Sequence, residues 1–544
     1  MSPSKLLTRH IHTLGALAFL GCAAADRSDV AAARSAISAK EAKDHVRFLA
    51  HDSLRGRNTG ERGYEIARDY VAAQFKSIGL EPGNGESYLQ PFDLLVGRVD
   101  RGSILRTRGI ALKAPEATFT PDWTGQQATL RAEGVFVGFG LSSHGRDDYA
   151  GADVRGKVVW LIPGAPPGWL DDGDRARMLR SKLENAHQRG AVAVVMMQAG
   201  PAAASDEAWA RQASRPATPT VLADGTAPSF RADATVGPEA ARRLLGAWGY
   251  PPSNFADVVT RGFPARQVGP VELVRRHQVD SIQSWNVVGL VRGRDPKLRE
   301  EVVIYTAHLD HVGVGEPDAN GDSIYNGAHD NALGIGKLLG TAKAMKTLAP
   351  RRTILFMAAG AEERGLLGAW YYVRHPLFPI ERTAAAINQD GGLEGAATDD
   401  IFAFGADQSD VEKILDQVGV ETGMRVNREF KAPFSPSQAL LFRSDQYPFL
   451  LAGVPAIYLM DGFSVGGNAE TGRLQWDAYI KNVNHQQRDN FDDAWTFESV
   501  ARMAGFALSL GYELANRDEM PQMSEQGVMH RPRGVPSAPY FRRP

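Results

Sequence analysis

The 544-residue chain has a single cysteine, Cys22. No intrachain disulfide can form, and no cluster of thiolates can hold a metal. Any metal must be held by histidine and carboxylate. An excess of either charge is also lacking, because 61 Lys plus Arg face 63 Asp plus Glu for a formal net charge of −2. The chain therefore has no general electrostatic reason to bind nucleic acid or an acidic membrane surface. Apolar runs long enough to span a bilayer are missing too. What is present is an ordinary globular composition, 43% hydrophobic and 23% charged, with length for two or three domains. Function must come from a local site.

The cysteine falls where a targeting segment would put it. Residues 1–25 carry Lys5 and Arg9 and no acidic residue, then the apolar run Thr13-Leu-Gly-Ala-Leu-Ala-Phe-Leu-Gly-Cys22, then Ala23-Ala-Ala-Asp26. A basic start, a short apolar stretch and a small-residue zone read as a secretory signal peptide. Two processing outcomes fit: cleavage after the Ala run, or cleavage before Cys22 followed by lipidation. The expectation is an exported chain, periplasmic, anchored to the outer membrane by lipid at Cys22, or extracellular.

Along the rest of the chain, residues 40–82 read as two amphipathic helices separated by the irregular loop Leu54-Arg-Gly-Arg-Asn-Thr-Gly-Glu-Arg-Gly63. From 110 to 265 short β-segments dominate, Val135–Gly140, Lys157–Pro163 and Ala191–Met197 among them, with a helix near Leu179–Arg189. This stretch looks like one domain inserted into another. After Ser284 strands and helices alternate: strands at 302–306, 353–358, 384–388 and 456–459, and helices at 331–348, 366–374, 409–418 and 497–515. The pattern predicts an α/β fold in three layers, with a mainly parallel mixed central sheet interrupted by the β-rich insert. In such sheets sites gather at the carboxyl ends of the strands.

Three of those strands run into groups that can ligate a metal. The first leads to Thr306-Ala-His308-Leu-Asp310-His311, the second to Glu362-Glu363-Arg364-Gly365, and the third to Asn388-Gln-Asp390-Gly391. Between the first two lies Asn326-Gly-Ala-His329-Asp330-Asn331, a polar loop entering a helix, and His485 sits late in Asn482–Asp492. Taken singly, a His-x-Asp is usually a polar strand end, and a Glu pair is usually a solvated helix start. Their recurrence at the same ends of strands is what points to a site. Imidazoles with carboxylates suit Zn²⁺ or a similar divalent ion. More than three carboxylates suggests two ions.

The set His308-x-Asp310, Gly327-Ala-x-Asp330-Asn331-x-x-Gly334, Glu362-Glu363-x-Gly365, Asn388-x-Asp390 and His485-x-x-x-Asp489 resembles the secreted two-zinc aminopeptidases, metallopeptidases related to glutamate carboxypeptidase and the transferrin receptor. Leu54-x-Gly-Arg-x-Thr-Gly and Tyr88-x-Gln90-x-Phe92 resemble that family's N-terminal segment. Val135–Gly140 with Asp147-Asp-Tyr149 and Gly156-Lys-Val-Val159 is similar to the protease-associated domain often inserted there. Between the leader 1–25 and a tail 517–544 whose Pro, Arg and Met content reads as poorly ordered, the resemblance implies a peptidase segment 36–112, a protease-associated insert 113–265 and a catalytic part 266–516.

It also implies roles. One zinc would be held by His308 and Asp390, the other by Glu363 and His485, with Asp330 bridging both. Glu362 would be the general base, and the Asp310 carboxylate would accept from the far ring nitrogen of His308. The chain departs from the family pattern at His329, where an acid is common, and at Gln446 in Ser444-Asp445-Gln446, where a histidine is usual. His329 and His311 are expected to support the ligands. The long stretch 462–481 before His485 is expected to shape specificity.

The implied activity is hydrolysis of N-terminal residues from peptides. A carboxypeptidase, dipeptidase or other amidohydrolase on the same scaffold is the alternative, and a receptor-like binding protein a more distant one. An aminopeptidase needs an acid for the substrate ammonium, whereas a carboxypeptidase needs arginines for the carboxylate. Arg364, Arg443 and Glu394 stand near the motifs, but sequence does not place them in a pocket. Peptides are the expected partners, not nucleic acid.

Overall fold

The computed structural model describes residues 27–123, 128–143, 146–166, 182–200, 202–214, 218–225, 232–250, 263–393, 395, 397–428, 440–527 and 529–536. The leader, with Cys22, and Glu394 lie outside the described residues. The chain forms two compact units. The first draws on Met1–Pro91, Trp285–Pro433 and Arg443–Pro536, and the second mainly on Phe92–Ser284.

The first unit is built on a mixed, mainly parallel sheet. Its strands are β1 (His277–Val291, in this unit from Trp285), β2 (Val302–His308), β3 (Thr353–Ala359), β4 (Thr383–Gln389), β5 (Asp400–Phe404), β6 (Arg425–Val426) and β7 (Ala456–Asp461), in the order β1-β3-β2-β4-β7-β5-β6. β3, β2, β4 and β7 run parallel, whereas β1 is antiparallel to β3 and β5 to β7, and β6 runs parallel to β5. Every residue of β2, β3 and β4 is buried, as strands covered on both faces require.

Helices α1 (Ala39–Leu49), α2 (Arg62–Ile78), α3 (Leu333–Lys346) and α8 (Glu498–Asn516) share one core with Val303, Tyr305 and Ala307 of β2. The alternate residues Val302 and Ile304 are fully buried as well, and strand period places them on the opposite face. Four further helices are α4 (Leu367–Arg374), α5 (Glu412–Thr422), α6 (Gln446–Leu451) and α7 (Ala469–Asn482). α4 and α6 meet through Trp370 against Tyr447 and Tyr372 against Phe449. Local signals account for the helix ends: Ser38 caps α1 by accepting from the Glu41 N–H, and Gly79 closes α2 in the left-handed region at φ +83°.

The expected alternation of strands and helices from residue 302 onward is found, with boundaries moved by a few residues. β5, β6, α6 and α7 escape a reading of periodicity. The tail is a correction. Its described residues, 517–527 and 529–536, do not hang loose: Met529 is 1% exposed, the Ser524 N–H donates to the Gln408 carbonyl, and the Gly534 N–H donates to that of Ala452. Side chains without helical or strand period are inserted one at a time, which composition does not signal.

The second unit has its own eight-stranded sheet, ordered 110–112, 104–107, 266–275, 128–136, 158–161, 193–197, 234–236 and 117–119. The middle strands 128–136, 158–161, 193–197 and 234–236 are parallel. Phe136 and Trp160 pack on Trp248 in its core, with ring centroids 5.7 and 5.2 Å apart. Among the described residues no helix is long and apolar enough to cross a membrane.

Candidate metal centre

The three adjacent parallel strands β3, β2 and β4 bring their carboxyl ends to one level. His308 pairs in register with Ala359, and Thr306 with Asn388. His308 closes β2, Asp390 follows β4, and the turn after β3 carries Glu362 and Glu363. Asp330 comes from the loop that enters α3, and His485 from the segment after α7.

Two groups of potential ligands result, each with one donor atom per residue and all atoms within 4.8 Å of one another. One is His308, Asp330 and Asp390; the other is His311, Asp330, Glu363 and His485. Asp330 belongs to both. Its Oδ1 lies 3.1 Å from His308 Nε2 and its Oδ2 3.0 Å from His485 Nε2. His308 Nε2 is also 3.1 Å from Asp390 Oδ1, and His485 Nε2 3.3 Å from Glu363 Oε2. Glu362 falls in neither group. His311, which sequence reading set beside the ligands, enters the second group with Nδ1 2.8 Å from Glu363 Oε1.

The part expected of the Asp310 side chain is corrected by the structure. The Asp310 backbone carbonyl, not its carboxylate, stands 3.1 Å from His308 Nδ1. The carboxylate instead accepts from the N–H groups of Glu362 and Glu363, at 2.9 and 3.3 Å, and from Thr59 Oγ1 at 3.1 Å. It anchors the turn that carries both glutamates. The strand end bends so that a main-chain oxygen reaches the ring first, a detail that spacing alone does not reveal.

Other supports stand in the motifs quoted above with no contact assigned to them from sequence. Ser444 Oγ donates to Asp390 Oδ2 at 2.5 Å and itself accepts from Asn388 Nδ2, which also donates to Gln446 Oε1. Gln446 thus continues a hydrogen-bond network in place of a histidine. The Asn331 side chain accepts from the N–H groups of Gly334 and Gly391 and donates to the Gln389 carbonyl, tying the Asp330 loop to the Asp390 loop. Asp489 accepts from the N–H of His329 and of Asp330 and pairs with His329 Nδ1 at 2.8 Å. Of the charged residues weighed for substrate recognition, Arg364 donates to Asn58 Oδ1 at 2.7 Å, and Arg443 is exposed.

Burial and mutual charge govern the ionisation of the cluster. Burial raises the Glu362 carboxyl well above the usual range, and the charges of Glu363, Asp390 and Asp445 add to this against the pull of His308. Burial and Asp330 also push Glu363 upward, but hydrogen bonds from His311 and His485 outweigh them and leave it at about 2. Partial desolvation disfavours the cation of His485, whose side chain is 47% exposed, but Asp330 and Glu363 hold its imidazole up to about 11. The cluster calls for positive charge at two places, one on each side of Asp330. The donor set of imidazole nitrogens and carboxylate oxygens, with no sulfur, fits a borderline divalent ion such as zinc. A buried group of this negative charge is stable only when paired.

Residues 286–509 match the profile of peptidase family M28. Aminopeptidase YwaD of Bacillus subtilis is 35% identical over 92 residues, 17% of this chain and 18% of its own length. The probable lipoprotein aminopeptidase LpqL of Mycobacterium tuberculosis is 27% identical over 283 residues, 49% of this chain and 53% of its own. The chain thus spans about half or less of these curated relatives. A solved aminopeptidase from Aneurinibacillus sp. strain AM-1 shares the fold with TM-score 0.52 and 20% identity, over 90% of this chain and 96% of that one. The strand-end cluster lies within the segment that matches peptidase family M28.

Proposed function

We propose that the chain is a zinc-dependent aminopeptidase that releases N-terminal residues from peptides. The observation that carries this reading is the Asp330 carboxylate, one oxygen turned to each of two ligand groups at the carboxyl ends of parallel strands, inside the segment that matches peptidase family M28. The names of the relatives give the reaction class. His308, Asp390 and Asp330 would hold one zinc ion, and Glu363, His485 and Asp330 a second. When bound, the ions supply Lewis acidity toward the scissile carbonyl and lower the pKa of a water.

The chain's own groups do the rest. Glu362, outside both ligand groups and made a stronger base by burial, takes a proton from the attacking water and returns it to the leaving amine. Asp310 keeps Glu362 and Glu363 in place by accepting from both N–H groups. Neighbouring glutamates thereby take different tasks, one on the metal and one free.

Finer readings belong to the same proposal. The leader exports the chain, with lipid at Cys22 as one processing outcome. Residues 113–265 form a protease-associated insert in the peptidase domain. A comparison of free, N-acetylated and C-amidated forms of one peptide tests the activity. Acetylation should abolish cleavage and amidation should leave it; the reverse would make the chain a carboxypeptidase.

A further inference from the structure

We propose that Arg57 is a positioning residue of the metal centre, its guanidinium setting the spacing between the loop that carries His308–His311 and the loop that carries Asp330. The inference rests on the metal-centre reading above.

Arg57 is 1% exposed. Its Nε donates to the Leu309 carbonyl at 2.9 Å, one η nitrogen to those of Leu49 and Asn326, both at 2.6 Å, and the other to Gly327 at 2.9 Å. Its own carbonyl accepts from the His311 N–H at 3.3 Å. Leu309 lies between His308 and Asp310, while Asn326 and Gly327 lead directly into Asp330. One planar fork therefore spans the two loops whose separation sets the distance from His308 to Asp330. A guanidinium offers such fixed directions, and a lysine ammonium does not.

The turn that presents Arg57 is built for the purpose. Arg55, Gly56 and Arg57 all have positive φ, at +47°, +68° and +47°. Side chains rarely adopt that conformation, so the surroundings must over-determine it. At Gly56 a Cβ would meet the carbonyl oxygens of Tyr325 and Gly313 at 2.4 and 2.5 Å, so the turn packs closely on the ribbon of 313–314 and 324–325.

Charge points the same way. Among the described residues the hydrogen-bond acceptors of Arg57 are neutral carbonyls, and its charge is offset at longer range by Asp489, Asp330, Asp310 and Glu363. Burying a cation away from a contacting carboxylate is costly, so a residue needed only for packing would not be charged. Asp489 completes the picture from the opposite sign. It takes the N–H groups of His329 and Asp330, while Arg57 takes the carbonyls of Asn326 and Gly327, so the loop bearing Asp330 is held by two side chains of opposite charge.

The test uses the full chain, stripped of metal and titrated with zinc against a chromophoric chelator, for wild type, Arg57→Lys, Arg57→Met and Arg57→Ala. Arg57→Met should bind zinc about ten- to a hundredfold more weakly, the range seen when groups that orient ligands are lost. Arg57→Lys should fall between it and wild type, and millimolar guanidinium should restore part of the affinity of Arg57→Ala. A purely structural residue would lower the melting temperature without changing zinc affinity in the folded protein. Folded variants that bind zinc as tightly as wild type overturn the proposal. Where Arg57→Met does not fold, Arg57→Lys decides by the same criterion. A wild-type chain that binds no zinc would overturn the metal-centre reading along with it.

Discussion

Both units of the molecule contain a run of adjacent parallel strands, and they use the carboxyl ends differently. In the first unit β3, β2 and β4 lead into Glu362-Glu363, His308 and Asp390. In the second the parallel strands lead into Val137-Gly138, Ile162-Pro163-Gly164, Gln198-Ala199-Gly200 and Gly237-Pro238. No imidazole or carboxylate stands among those residues. The architecture supplies a place where several loops converge, and the residues written there decide whether chemistry follows. The first arrangement is accompanied by a shell of buried polar support, Asp310, Asn331, Asn388, Ser444 and Asp489, whereas in the second the buried Lys182 donates to the carbonyls of Ile162 and Gly164.

That contrast can be broken by substitution, most sharply at Glu362. Glu362→Gln should lower turnover by about 10²- to 10⁴-fold, the usual contribution of a general base, with zinc content by elemental analysis unchanged. Loss of zinc would instead make Glu362 a ligand. A smaller effect is expected one step out. Ser444→Ala removes the donor to Asp390 Oδ2 and should weaken zinc binding by about tenfold, measured by competition with a chelator. At the far end of the scale, Trp160→Ala in the second unit removes a fully buried ring and should cost about 3–5 kcal/mol in the stability of that unit. Zinc stoichiometry should not change; if it fell, the two units would not be as separate in chemistry as their strand ends imply.

What could be read from sequence follows from this same division. Strands of unbroken apolar residues, each running into His, Glu or Asp, announce both the sheet and the ligands, because burial and ligation each need particular residue types. The supports are less legible. Asp310 was visible as a residue but not in its contacts, since whether a carboxylate or its own backbone carbonyl reaches His308 depends on how the chain bends after β2. Arg57 looks like any arginine in a glycine-bearing loop, and only the fold shows its carbonyl partners. β5 is short and antiparallel, and α7 buries only Gly472, Trp476 and Tyr479, so neither leaves a strong period. The tail after Arg517 is held by backbone hydrogen bonds and isolated methionines, which composition reads as looseness.

The central claim is that the carboxylates and imidazoles gathered at the ends of β3, β2 and β4 form a two-ion hydrolytic centre. Zinc content and peptide turnover, measured on one preparation before chelation, after it and after zinc is restored, test it most directly. Two ions per chain are predicted, with turnover lost on their removal and recovered on their return. Full turnover in the metal-free chain would contradict the account.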